Sequence, residues 1–283
     1  MRIGPVLDEI LSAHDYPTAI RHLLAEALVL TALIGSLLKE DDGQLTIQAQ
    51  AQAQDPAQEG ADAAAGIVDL LVCDYRRGEI RGYVRHDAER LAALDTFPSL
   101  RALFGPGAYL ALTFDLAATG QRYQGIVPLD GESLAEACQS YFARSEQIPT
   151  LIRTGVRWDG RHNIAGGLLV QHLPEGEDGR ERLHVRMDHP EWEHVATLAG
   201  STRHDELIDP ALSLEALVWR LFHEEAEVRV DPLAPLSRGC RCTAQHYASV
   251  LSRFPEAERD EMRGEDGLIA IDCAFCSRVF KIA

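Results

Sequence analysis

The spacing of apolar and polar positions predicts most elements of the first 173 residues. Asp15 and Pro17 mark a helix start, because Asp caps free amides and Pro fits a first turn. The run from there to Lys39 is apolar almost all round, as in a helix wrapped on several sides. Its uncharged apolar stretch, Ala27 to Leu38, has 12 residues, short of the roughly 20 that a membrane span needs, so it reads as a buried core helix. Leu45, Ile47 and Ala49 alternate with Thr46, Gln48 and Gln50, which is strand period. Ile67–Tyr75 and Ile80–Arg85, around Arg77-Gly78, predict a hairpin. Tyr109–Leu116 and Tyr123–Pro128, around Gly120, predict a second. Leu151–Trp158 and Ile164–Leu173 predict a third, closed by a two-residue Asp159-Gly160 turn. Ser133 with Glu136 is a capping-box pattern, opening a helix that Pro149 terminates. Residues 51–65 are low in complexity and read as a mobile loop. The fold class is α+β, with a core domain over residues 1–173.

Charge divides the rest of the chain. Its 283 residues carry 27 Lys+Arg against 44 Asp+Glu, net −17. Residues 174–231, about a fifth of the length, hold 6 basic and 15 acidic side chains and five of the eleven histidines. Leu214, Leu217, Val218 and Leu221 lie at i, i+3, i+4 and i+7, one apolar stripe on a polar helix. This segment is read as an acidic helical linker docked on the core domain through that stripe. A short acidic helix depends on docking for its stability, so it is expected to be the least stable part of the chain. Residues 232–283 balance at 7 basic and 7 acidic. The acidic total argues against the basic face expected of a nucleic-acid binder. The N-terminus lacks a basic region followed by an apolar one, so it is not read as a secretory signal. A soluble, cytoplasmic protein without a membrane partner is expected.

The candidate chemistry lies in the last segment. Cys240-Arg241-Cys242 is followed by 30 residues and then Cys273-Ala274-Phe275-Cys276. Two chelating pairs let four soft sulfurs converge tetrahedrally, as Zn²⁺ requires in closed structural sites. A cytosolic chain keeps its thiols reduced, so metal or redox chemistry is favoured over structural disulfides. Cys73, within an apolar strand, and Cys138, on a helix face with Leu134 and Phe142, read as inert core thiols. His246 follows Cys242 by four residues but is surplus to a tetrahedral site. His184, His189, His194 and His204 have no metal spacing. No phosphate loop, G-x-S-x-G or H-E-x-x-H motif is present, and no catalytic constellation is nominated, so the protein is not read as an enzyme.

The C-x-C…C-x-x-C tail resembles the redox-switch domain of the thirty-three-kilodalton heat-shock protein family of bacterial holdase chaperones. The stretches LLAEALVLTALIGSLLK, GQLTIQAQ, IRGYVR, YQGIVPL, YFARSEQIP and AGGLLVQHLP fall in that family's order, so the likeness covers nearly the whole chain. It implies an ATP-independent chaperone that is zinc-bound and inactive when reduced. On oxidation such a protein forms disulfides, loses zinc and binds unfolding client proteins, usually as a homodimer. By position, Cys240, Cys242, Cys273 and Cys276 are the ligands of one Zn²⁺ per chain and also the redox thiols. Relative to that family the chain starts late, so a first strand is expected to be missing, and the 51–65 loop is longer than usual.

The residues fit this implication. Arg238, Arg241, Arg278 and Lys281 lie near enough in sequence to offset a zinc tetrathiolate. Each cysteine pair is close enough to form its own disulfide, Cys240 with Cys242 and Cys273 with Cys276. Two other readings compete: a zinc-dependent thiol-disulfide oxidoreductase and a zinc-ribbon nucleic-acid-binding protein. Here the C-x-x-C does not open a helix after a strand, which counts against the first. The second lacks clustered basic and aromatic side chains.

Overall fold

The computed structural model describes residues 1–38, 43–52, 66–117, 119–173 and 189–283. Lys39, most of the 51–65 loop, and residues 174–188 with His184 lie outside the described residues.

The chain opens with a short strand, β1 (Arg2–Ile3), and helix α1 (Pro5–Leu11). The long helix α2 (Thr18–Gly35) follows, with Pro17 rather than Asp15 at its N-cap and no side-chain cap. Thirteen of its residues are buried, from Ile20 to Gly35. Sheets on two sides explain why no face of it is polar. One sheet is built from β2 (Gln44–Gln50), β3 (Val68–Arg76) and β4 (Glu79–His86), then, after short helices α3 (Ala88–Leu91) and α4 (Leu100–Phe104), β5 (Tyr109–Leu116) and β6 (Gln121–Pro128). α2 is long and apolar enough to cross a membrane by length and composition, but it is mostly buried inside this fold.

In β2, Leu45, Ile47 and Ala49 face α2 while Thr46, Gln48 and Gln50 lie on the outer face. β3 and β4 turn at Arg77 and Gly78, both with positive φ (52° and 78°), the conformation of a tight I′ hairpin turn. Close approach demands glycine at Gly82, where a Cβ would lie 2.7 Å from the Cys73 Sγ and 2.9 Å from Leu24.

Ser133 caps α5 (Leu134–Tyr141) as expected, its hydroxyl accepting from the Glu136 amide. The Glu136 carboxylate accepts from the Glu132 amide, one residue short of a closed box. The helix does not run on to Pro149. It changes at Phe142 into a single π-turn, Phe142–Glu146, which ends at Gln147 in the left-handed region. The third hairpin, β7 (Thr150–Trp158) and β8 (Asn163–Gln171), pairs Trp158 with Asn163, so its loop has the four residues 159–162 rather than a two-residue turn. The cause is Asp159, whose Oδ1 accepts from the amides of Arg161 and His162 at 2.9 and 2.8 Å and holds a wider turn. β1 joins this hairpin, Arg2 opposite Gly166 and Ile3 opposite Ala165, giving the order β1-β8-β7. The edge expected to lack a strand therefore carries a two-residue one.

Helices α6 (Pro190–Gly200) and α7 (His204–Ile208) lie against the β7–β8 hairpin, and α8 (Leu214–Phe222) packs against α6. Leu207, Leu212 and Leu217 form a small buried cluster with Leu168 of β8 and Leu221. The predicted stripe is unevenly used: Leu217 is 5% exposed and Leu214 37%. Two glycines let the backbones meet, since a Cβ at Gly166 would stand 2.1 Å from the Leu207 carbonyl oxygen and one at Gly155 2.6 Å from that of His204. The Arg2 guanidinium donates to the carbonyls of Leu207, Leu212 and Glu206.

The last segment begins with β9 (Ser237–Arg238), which adds in parallel to β4 and completes the sheet order β6-β5-β2-β3-β4-β9. It continues through α9 (Ala244–Leu251), α10 (Glu256–Glu261) and the hairpin of β10 (Ile269–Asp272) with β11 (Val279–Ile282).

Candidate metal centre

Two tight local structures deliver the four cysteines. β9 is anchored by the Ser237 amide donating to Gly78 O (3.0 Å) and the Gly239 amide to Ile80 O (2.9 Å). Gly239 has no room for a side chain, as a Cβ would sit 2.5 Å from the Glu79 Cβ. Cys240 and Cys242 follow, and Thr243 then caps α9 by accepting from the His246 amide. The second pair sits in the β10–β11 turn. There the Cys273 amide donates to Arg278 O (2.9 Å), while the Cys276 and Ser277 amides donate to Cys273 O (3.1 and 2.8 Å). Ser277 takes a positive φ of 55° to close this knuckle.

The sulfurs converge. Cys240 Sγ lies 3.2 Å from Cys242 Sγ and 3.6 Å from Cys273 Sγ, and Cys242 Sγ lies 3.5 Å from Cys276 Sγ. All four fall within 4.8 Å of one another and all are free thiols. Sulfurs about 2.3 Å from a tetrahedral zinc are separated by about 3.8 Å, so the cage has the right size and the donors the right softness. Cys273 is buried and the other three are half-buried.

Charge is shared unevenly among the thiols. Burial works to raise Cys273, but hydrogen bonds from the Tyr247 hydroxyl, the Phe275 and Cys276 amides and Cys240 outweigh it and bring it down to about 6. Burial raises Cys242, and its three sulfur neighbours raise it further. One thiolate thus discourages its neighbours from ionising, a repulsion that a divalent cation would reverse. Cys73 and Cys138 are fully buried, and burial pushes both thiols up.

The surroundings differ in part from expectation. Lys281 is turned to Asp266 (2.7 Å), and Arg241 donates to Gln44 Oε1 (2.8 Å) and lies 3.9 Å from a Glu79 carboxylate oxygen. The offsetting role expected of these two is directed instead at their own partners. His246 is exposed and is not among the clustered donors. Of the other histidines, His189 caps α6 by accepting from the Glu191 amide, His194 contacts Glu225 at 2.9 Å, and His204 contacts the Thr154 carbonyl. Sequence reasoning missed Tyr247, whose only signal is its place one helical turn beyond the C-x-C. It also missed His14, Arg81 and Tyr83, which reach the knuckle from the core. His14 contacts Ala274 O at 2.9 Å and the Ser277 hydroxyl at 3.0 Å. No local pattern marks such long-range contacts.

The small core of this segment is formed by Leu251, Ile269 and Ile282, with Tyr247, Ile271 and Phe280 packed around it. Three buried apolar side chains are few for a unit of this size, and small domains of this kind lean on a metal or disulfides.

Comparison with known proteins agrees with the fold. The chain is 38% identical over 290 residues to a 33 kDa chaperonin of Caulobacter vibrioides, covering all of this chain and 89% of that one. It is 34% identical over 277 residues to a 33 kDa chaperonin of Shigella boydii, covering 97% and 83%. A crystal structure of the 33 kDa chaperonin (heat shock protein 33 homolog) of Thermotoga maritima shares the fold with a TM-score of 0.74 at 20% identity, over 98% of this chain and 87% of that one. The family model described as Hsp33 protein matches residues 1–283. With relatives aligned over its whole length and the fold in common, the chain belongs to the Hsp33 family of chaperones.

Proposed function

We propose that this chaperone is a redox-regulated, ATP-independent holdase whose reduced form binds one Zn²⁺ through Cys240, Cys242, Cys273 and Cys276 and is inactive. The observation that carries this reading is the convergence of four free sulfurs within 4.8 Å on a segment with only a three-residue buried core. Three working regions follow: a core domain over 1–173, an acidic linker over 174–231 and a zinc-binding switch over 232–283. A bound zinc ion would supply the charge that holds all four sulfurs as thiolates at neutral pH.

Thiolates are what oxidants attack. Cys240 pairs with Cys242 and Cys273 with Cys276. In each pairing two thiolates and two protons reduce one hydrogen peroxide to two waters and leave one disulfide. The four ligands are then consumed. Each new ring spans three or four residues, which removes only about 2 kcal/mol of unfolded-state entropy. A structural zinc contributes roughly 10–16 kcal/mol in small domains, so the disulfides do not replace it and the switch unfolds.

Undocking of α6–α8 completes the activation. β9 leans on β4 and α1, and the 230–236 stretch that leads into it lines one cleft with Leu214 and Val218 of α8 and with Arg2–Val6. Loss of the switch loosens that stretch, and the Leu207, Leu212 and Leu217 cluster separates from β8. The exposed apolar surface captures unfolding clients, with the active form a homodimer in the cytoplasm. The test measures zinc content and suppression of client aggregation before and after peroxide. One zinc per reduced chain, lost as capture appears, is expected. Capture that is equal in both states, or a reduced chain that holds no zinc, defeats the reading.

A further inference from the structure

Between the ligands of each cysteine pair stand residues that hold no metal but reach the core domain. Phe275, inside the C-x-x-C, lies with its ring 4.0 Å from the Arg81 guanidinium carbon and meets Tyr83 edge-on at 4.9 Å. Arg241, inside the C-x-C, donates to Gln44 and lies near Glu79. Both belong to the outer face of the six-stranded sheet or its first turn, and the Arg81 side is rigid. Its guanidinium donates twice to Asp74 Oδ2, at 2.8 and 2.6 Å, and Asp74, 4% exposed, also accepts from the Thr46 hydroxyl at 2.7 Å. A guanidinium fixed in its plane offers a prepared face for an aromatic ring.

We propose that Phe275 and Arg241 are positioning residues that latch the switch to the core sheet and so set how readily the four thiols are oxidised; this rests on the function proposed above. Neither residue changes the donor set. Arg241 stands directly between Cys240 and Cys242, and Phe275 between Ala274 and Cys276, so a shift in either pair moves a latch residue. Coupling runs both ways. Attachment to Arg81, Tyr83 and Gln44 restrains the chelating loops, and correctly folded loops present Phe275 and Arg241 to their partners. His14, through Ala274 O and Ser277, braces the same knuckle from the α1–α2 connection.

The test uses reduced, zinc-loaded full chain and three variants, Phe275→Ala, Phe275→Tyr and Gln44→Ala. Zinc per chain is measured first. Exchange of the Ser237 and Gly239 amides, which donate to the core carbonyls Gly78 O and Ile80 O, then reports attachment. Phe275→Ala is expected to keep its zinc, to exchange these amides about fivefold faster or more, as loss of a partly desolvated cation–π contact implies, and to form disulfides faster in peroxide. Phe275→Tyr restores wild-type values, and Gln44→Ala moves both rates the same way by less. Phe275→Ala with full zinc and wild-type exchange and oxidation rates overturns the latch. If Phe275→Ala loses zinc, Gln44→Ala decides from the core side: faster exchange with zinc retained supports the latch, and unchanged exchange overturns it. None of these readouts uses a client, so a wild type that captures none after peroxide refutes the holdase reading separately.

Discussion

The six cysteines fall into two environments that show how differently the two ends of this molecule are held. Cys73 and Cys138 are sealed beside α2, among the more than forty buried side chains of the main core. There burial suppresses ionisation, and each thiol serves as a small apolar group. Cys240, Cys242, Cys273 and Cys276 stand in a segment whose buried core is three residues, and their sulfurs point at one another. The first region is stable because of what it excludes from water. Under the function proposed above, the second depends on what its thiols hold. The same element is therefore sealed at one end of the chain and clustered at the other, with the acidic helices α6–α8 docked on the first and connected to the second.

The largest expected effect breaks this contrast directly. Removing zinc by chelation, or replacing Cys273 by Ser, should abolish amide protection over 232–283 while α2 and β2 keep theirs, because a contribution of roughly 10–16 kcal/mol is withdrawn from a segment with little else. Residue-resolved hydrogen exchange measures it. A tail that stays protected without metal would show that its apolar cluster suffices.

A smaller effect concerns docking. Gly166→Val places a side chain where even a Cβ lies 2.1 Å from the Leu207 carbonyl oxygen. Overpacking of this kind costs about 1–3 kcal/mol, and backbone cannot yield as a side chain tip can. Exchange over 204–222 should accelerate and client capture should appear in the reduced, zinc-bound protein. Leu217→Ala, in the same cluster, should weaken docking by about 2 kcal/mol, read as faster exchange over the same helices with zinc content unchanged. Capture that still requires oxidation in both variants would detach α6–α8 from the switch.

How much of this was legible in the sequence depends on distance along the chain. Period-two and all-apolar runs revealed the strands and α2, because burial on one face or on all is written locally. The C-x-C and C-x-x-C pointed to four cysteines whose sulfurs the structure brings together, for the same reason: chelation needs close spacing. The wider Asp159 loop was misread because Asp-Gly favours a two-residue turn, whereas here the Asp159 carboxylate captures two amides. The π-turn after Tyr141 left no pattern, since Phe142 continues the helical apolar spacing. Contacts such as Phe275 on Arg81 or His14 on Ala274 join residues about 190 to 260 positions apart, and no local spacing encodes them.

The smallest effect sharpens the contrast through pH. Folding holds the Cys73 thiol well above the ordinary range by burial, followed by the nearby Asp74 charge, against a hydrogen bond with Thr31. In the unfolded chain the same thiol ionises near about 8.5. Below that value both states keep the proton and the thiol adds no pH dependence. Above it the unfolded state releases a proton that the folded state retains, so stability falls as pH rises, approaching about 1.4 kcal/mol per pH unit for one thiol. Between pH 7.5 and 9.5 wild type should therefore lose about 1.4 kcal/mol more core stability than Cys73→Ala, whatever constant penalty that substitution brings through its cavity. Urea unfolding of the two proteins at both pH values, followed by a signal from β2 and β3, measures the difference in slope. Parallel slopes would mean that Cys73 reaches water in the folded core, and the division between sealed and exposed thiols would then lose one of its two sides.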